Sequence, residues 1–113
     1  SNVGVINQRY VIELIGNWQK LEVSSNHDRV KVSVPFKWST ETWYRLKSRV
    51  DVASDGSGVV RAKAWKRGEP EPSAWTIEVP HKIAHPKGAP GLRGFSPQSR
   101  YSVYVDNVSV YPN

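Results

Sequence analysis

Arg45, Lys47 and Arg49 fall at every second position after Trp43, and Arg61 and Lys63 do the same on the way to Trp65. In an extended chain that spacing puts each set on one face. Like charges on neighbouring strands repel, so five cations in one row cost stability unless something anionic sits beside them. Such a row with indoles at its ends suits a glycan carrying sulfate or carboxylate groups. The cations pair with the anions, and the sugar C–H faces lie against the Trp rings. The same pattern also describes a solvated face whose Lys and Arg stems cover apolar surface, or cations paired with the chain's own carboxylates. Single-stranded nucleic acid competes for such a face. No RRM-type aromatic signature or KH loop is present, so nucleic acid is the weaker partner.

The segment from Arg67 to Trp75 is the second place where chemistry could gather. Trp65 and Trp75 flank Glu69 and Glu71, an aromatic wall with carboxylate acceptors. Two carboxylates about 5–10 Å apart can also cleave a glycosidic bond as acid and base. Here they lie two positions apart on one loop stiffened by Pro70 and Pro72, and that arrangement does not set them across a cleft. Two exposed acids in an extended loop is the simpler reading. His81 and His85 are bracketed by Pro80 and Pro86, so they have no helix to make their spacing a metal motif. Asp55-Gly56-Ser57-Gly58 reads as a turn and lacks the ligand set of a calcium loop. There is no G-x-S-x-G elbow and no P-loop. With no cysteine, thiolate chemistry and disulfides are excluded. The expectation is a chain with no catalytic residue, no metal and no cofactor.

The elements that must carry these residues read as strands. Val3 to Ile15 is apolar and β-branched, broken at Asn7-Gln8-Arg9, and Gly16-Asn17 marks a turn. Trp18 to Val23 alternates, and Val30, Val32 and Val34 form a further strand ending at Pro35. Trp43–Val52 and Val59–Trp65 make a hairpin around Asp55-Gly56-Ser57-Gly58. Trp75–Val79 and Gly91–Ser96 are short strands, Pro80 to Pro90 is a long loop, and Tyr101–Tyr111 is a closing strand. The predicted core is Ile6, Tyr10, Ile12, Leu14, Leu21, Val23, Val30, Val32, Val34, Leu46, Val50, Val52, Val60, Ala62, Leu92, Val103, Val105, Val108 and Val110. No segment has the repeat of an amphipathic helix.

A chain of 113 residues makes one domain, residues 1–113. Its formal net charge of +6 favours anionic partners. Five Trp is the more unusual feature, because an exposed indole usually meets a ligand. No apolar run is long enough for a transmembrane helix, and the N-terminus has no signal pattern.

Three segments arrive in order: Trp43-Tyr44-Arg45-Leu46-Lys47, then Ala62-Lys63-Ala64-Trp65-Lys66-Arg67-Gly68, then Gly91-Leu92-Arg93-Gly94 ahead of Tyr104-Val105-Asp106-Asn107-Val108-Ser109-Val110. Together they resemble the second half of concanavalin A-like (laminin-G-like) jelly-roll domains. Within that superfamily the chain is similar to the C-terminal domain of bacterial exported proteins whose larger part is a PQQ-type β-propeller. It is more distantly similar to the 3-keto-disaccharide hydrolase domains. The resemblance implies an all-β, antiparallel, jelly-roll-like β-sandwich of about seven or eight strands. That sandwich is either minimal or a half-length concanavalin A-like one, completed by upstream sequence or by another chain. It further implies a non-catalytic, carbohydrate-binding module forming the C-terminal part of a larger periplasmic or extracellular protein, beside an upstream domain. Two alternatives stand next to it: a fragment of a sugar-hydrolase-like domain without its catalytic half, and a docking domain that completes its sheet, as a homodimer would, through open edges.

Overall fold

In the computed structural model, the described residues are 2–16, 18–25, 30–39, 42–84, 90–95 and 108–110, with 93–95 described by backbone alone. They form β1 (Asn2–Asn7), β2 (Tyr10–Ile15), β3 (Lys20–Ser24), β4 (Lys31–Pro35), β5 (Tyr44–Val52), β6 (Gly58–Lys66), β7 (Ile77–His81) and β8 (Gly91–Phe95). Every pairing is antiparallel. One sheet has the order β4-β3-β2-β1-β8 and the other β5-β6-β7. The expected all-β sandwich is therefore present. The closing strand expected over Tyr101–Tyr111 lies outside the described residues except at 108–110, which are in no strand. None of the described residues forms a helix long and apolar enough to cross a membrane.

Local chemistry sets the turns. Gln8 and Arg9 join β1 to β2 with φ of 47° and 70°. Both central residues of a type I′ hairpin turn need that left-handed conformation, because its twist matches the flanking strands. Gln19 is also left-handed, at φ 46°, and this delays β3 until Lys20. Trp18, expected at the start of that strand, sits instead in the turn and is 77% exposed. The β5–β6 turn is closed by Ala53 N–H donating to Ser57 O and Gly56 N–H to Ala53 O. Asp55 Oδ1 accepts from both Ser57 N–H and Ser57 Oγ, and these bonds hold its carboxyl below the usual range. Gly58 follows because a Cβ there would lie 2.6 Å from Asp51 O and 2.7 Å from the Ala84 Cβ.

The core lies between the sheets. Tyr10, Ile12, Leu14, Leu21 and Val23 from the larger sheet meet Val50, Val60, Ala62, Ala64, Ile77 and Val79 from the smaller one. The Tyr10 hydroxyl, in a fully buried side chain, is 2.6 Å from His81 Nδ1 and links the two sheets. Several expected core residues are not buried, and sheet width accounts for two of them. A sheet of three strands cannot cover one of five, so Val32 on β4 and Leu92 on β8 are 41% and 48% exposed at its two margins. Val52 is exposed at the end of edge strand β5, and Ile6 is half-buried on the face turned away from the core. Val108 and Val110 are 56% and 65% exposed, outside any strand. Val103 and Val105 lie outside the described residues. Ala64, Ile77, Val79 and Ala84 complete the core in their place.

Candidate functional site

Strand alternation on β5 and β6 gives one face to the core and the other to the site. Tyr44, Leu46, Ser48 and Val50 turn inward, while Arg45, Lys47 and Arg49 are exposed. The register sets Arg45 opposite Trp65, Lys47 opposite Lys63 and Arg49 opposite Arg61. Of the cation row expected from the sequence, Lys47 with Lys63 and Arg49 with Arg61 are direct cross-strand neighbours, while Arg45 faces Trp65.

The chain supplies most of the countercharge itself. Asp51 follows Arg49 on the same face of β5. It bonds Arg49 Nε at 2.9 Å and Arg61 Nη1, diagonally across the strands, at 2.8 Å. Glu78, opposite Arg61 on β7, accepts from Arg61 Nε at 2.9 Å. Glu71 Oε2 receives Lys63 Nζ at 2.7 Å and Lys47 Nζ at 3.3 Å. Hydrogen bonds from Lys63 first, and then from Lys47, hold the Glu71 carboxyl below the ordinary glutamate range. Arg45, among the described residues, makes no ion pair. The repulsion in the row is thus relieved chiefly from within, by acids brought from the strand end, from β7 and from the loop.

Lys63 departs most from the sequence expectation. It points to the outer face, as the alternation requires, yet it is only 5% exposed. The loop from Arg67 to Trp75 folds back over it. A turn begins the loop, with Glu69 N–H donating to Lys66 O, and Gly68 takes φ 96°, which a side chain would resist. Beyond the turn, Pro72 O accepts from Lys63 Nζ at 2.7 Å. Trp75 brings its ring centroid to 4.8 Å from Nζ, while that of Trp65 is 6.0 Å away. Thr76 Oγ1 accepts from Ala64 N–H and ties the far end of the loop to β6. The ammonium therefore sits among two indoles, a carboxylate and a carbonyl, a setting suited to a cation.

Glu69 and Glu71, read from the sequence as two exposed loop acids, have different surroundings. Glu71 turns onto the two lysines, whereas Glu69 is exposed in the turn. A carboxylate clamped by two ammoniums is a poor proton donor near neutral pH. The indoles remain accessible: Trp43 is 46% exposed, and Trp65 and Trp75 are half-buried. Trp43 is fixed where the strands end, its carbonyl accepting from Arg67 N–H at 2.9 Å. Exposed Arg45 and Lys47 follow Trp43 along the chain, opposite Trp65 and Lys63.

Two further features escaped the sequence reading. A shallow cavity of about 590 Å³ opens at the hairpin end of the smaller sheet, beside Asp51, Arg61, Pro80 and His81, away from Trp65 and Trp75. On the outer face of the larger sheet, Glu13 and Glu22 are register partners, each only 7% exposed. Glu22 Oε1 lies 3.3 Å from Lys20 Nζ but accepts no well-directed hydrogen bond. The signal for this pair was faint: each Glu is a single acid within an apolar strand. Among the described residues, no cluster of three or more His, Cys, Asp or Glu forms a metal-binding group, and His85 lies outside them.

No family model matches the chain. No curated protein matches it, and neither does any solved structure.

Proposed function

We propose that this domain is a non-catalytic binding module for a carbohydrate bearing sulfate or carboxylate groups, taken on the outer face of β5 and β6. One observation carries the reading: none of Trp43, Trp65 and Trp75 is fully buried, and Trp65 and Trp75 flank Lys63 beside the exposed cations Arg45 and Lys47. A sugar offers C–H faces to the indoles and anionic groups to the cations. Membership of a larger exported protein rests on the motif resemblance alone. A second reading, docking onto another chain, is favoured by β4. That strand lies at the margin of its sheet among the described residues, and Val32 on it is exposed.

Titration of intrinsic Trp fluorescence with dextran, polygalacturonate and dextran sulfate, at low and high salt, tests the proposal. A saturable change with the anionic polymers, weakened by salt and lost in Trp65→Ala, is the expected result. An unchanged spectrum with all three polymers would remove the carbohydrate function and leave docking.

A further inference from the structure

We propose that the point between the Lys47 and Lys63 ammoniums is an oxyanion subsite, that Glu71 fills it when the face is empty, and that a sulfate or carboxylate group enters by displacing Glu71 together with its loop. This rests on the binding face described above and names the group read at its centre.

The two sides of the contact differ in how firmly they are held. Lys63 is fixed: its side chain is only 7% exposed, and Pro72 O, Glu71 and the Trp75 ring surround its ammonium. Glu71 is not. Its side chain is 44% exposed, and both lysines share one of its oxygens, Oε2. The Lys47–Glu71 pair is exposed on both sides and weak, whereas buried Lys63 needs an anion beside it, which an entering oxyanion supplies as Glu71 leaves. A sulfate group brings three terminal oxygens and can give each ammonium its own acceptor. Trp75 and Trp65 stand beside the ammonium at 4.8 and 6.0 Å, so a sugar ring attached to the bound group meets an indole without moving far.

The loop is built to let the exchange happen. Its anchors lie at its ends, the Lys66–Glu69 turn on one side and the Thr76 bond to β6 on the other. Between them, among the described residues, the polar contacts from the loop to the sheet reach Lys47 or Lys63, through Glu71 and Pro72. Displacing Glu71 leaves Trp75 tethered next to Thr76, so the aromatic wall stays while the acid leaves. Glu71 is then an internal competitor that raises the concentration of anionic ligand the face requires.

The test uses inorganic sulfate first and dextran sulfate second, each against chloride at equal ionic strength. The Trp75 indole N–H signal is followed in wild type, Glu71→Gln and Lys47→Ala/Glu71→Gln, and thermal melts confirm that each variant folds. Sulfate is expected to move the Trp75 signal in Glu71→Gln at concentrations about two- to fivefold below those wild type needs. The added Lys47→Ala should abolish that gain. A sulfate response equal in wild type and Glu71→Gln, or none in either, would overturn the subsite whatever dextran sulfate does. If sulfate binds as expected but dextran sulfate binds no more tightly than the free ion, the subsite stands and the carbohydrate function falls.

Discussion

The outer faces of the two sheets solve the same electrostatic problem in opposite ways. On the smaller sheet, like charges face each other across β5 and β6 at Lys47–Lys63 and Arg49–Arg61, and acids from elsewhere in the chain neutralise them. On the larger sheet, Glu13 and Glu22 face each other while both are nearly buried, and the Lys20 contact to Glu22 is poorly directed. On the first face the acids stay partly exposed, although Lys63 is buried; on the second both acids are nearly buried. Exchangeable charges suit a surface that meets ligands, whereas buried ones are held in place by their surroundings. The contrast favours the smaller sheet as the place for the binding proposed above.

Both faces hang on one core, so the largest effect should come from beneath them. Leu21→Ala empties a fully buried position and is expected to cost about 2–5 kcal/mol in chemical denaturation. Both faces should melt together in that variant; separate transitions would show that the sheets fold as independent units. Lys63→Ala comes next. It removes a buried stem packed against Trp75 and frees the loop, so a loss of about 1–2 kcal/mol is expected in the same measurement.

Smaller still is the effect of acid on the loop. Glu71 is held below its ordinary pKa of 4.5, so it binds protons less readily folded than unfolded. Its stabilisation is complete above that value and is lost as pH falls through the lower folded-state pKa. Proteolysis within residues 67–75 should therefore quicken in that acidic window in wild type but not in Glu71→Gln; equal pH dependence would detach the loop from Glu71. Arg45→Ala should change stability least, within about 0.5 kcal/mol, because its side chain is exposed and makes no ion pair among the described residues. It should nonetheless weaken dextran sulfate binding; unchanged binding would move the ligand away from Trp65.

Much of this architecture was legible from alternation. The period-2 pattern from Trp43 to Val52 and from Val59 to Trp65 separates core from site residue by residue, because a strand has only two faces. The Asp55–Gly58 turn was equally plain, since Asp and Gly meet its backbone requirements directly. The pairing of Arg61 with Glu78, and of both lysines with Glu71, was not legible. It depends on β7 lying beside β6 and on the loop folding back, contacts that no local pattern encodes. Sheet width was hidden for the same reason: Val32 and Leu92 look like core positions until the covering sheet proves to be only three strands wide. Lys63 illustrates both halves, its direction given by alternation and its burial by a distant loop.

The most direct test of the central claim is to follow all five Trp indole N–H signals while dextran sulfate is added to the wild-type domain. Trp43, Trp65 and Trp75 should shift together and saturate, while Trp18 stays still although it is 77% exposed. Shifts led by Trp18, or a titration that leaves Trp65 and Trp75 unmoved, would contradict the assignment of binding to the smaller sheet.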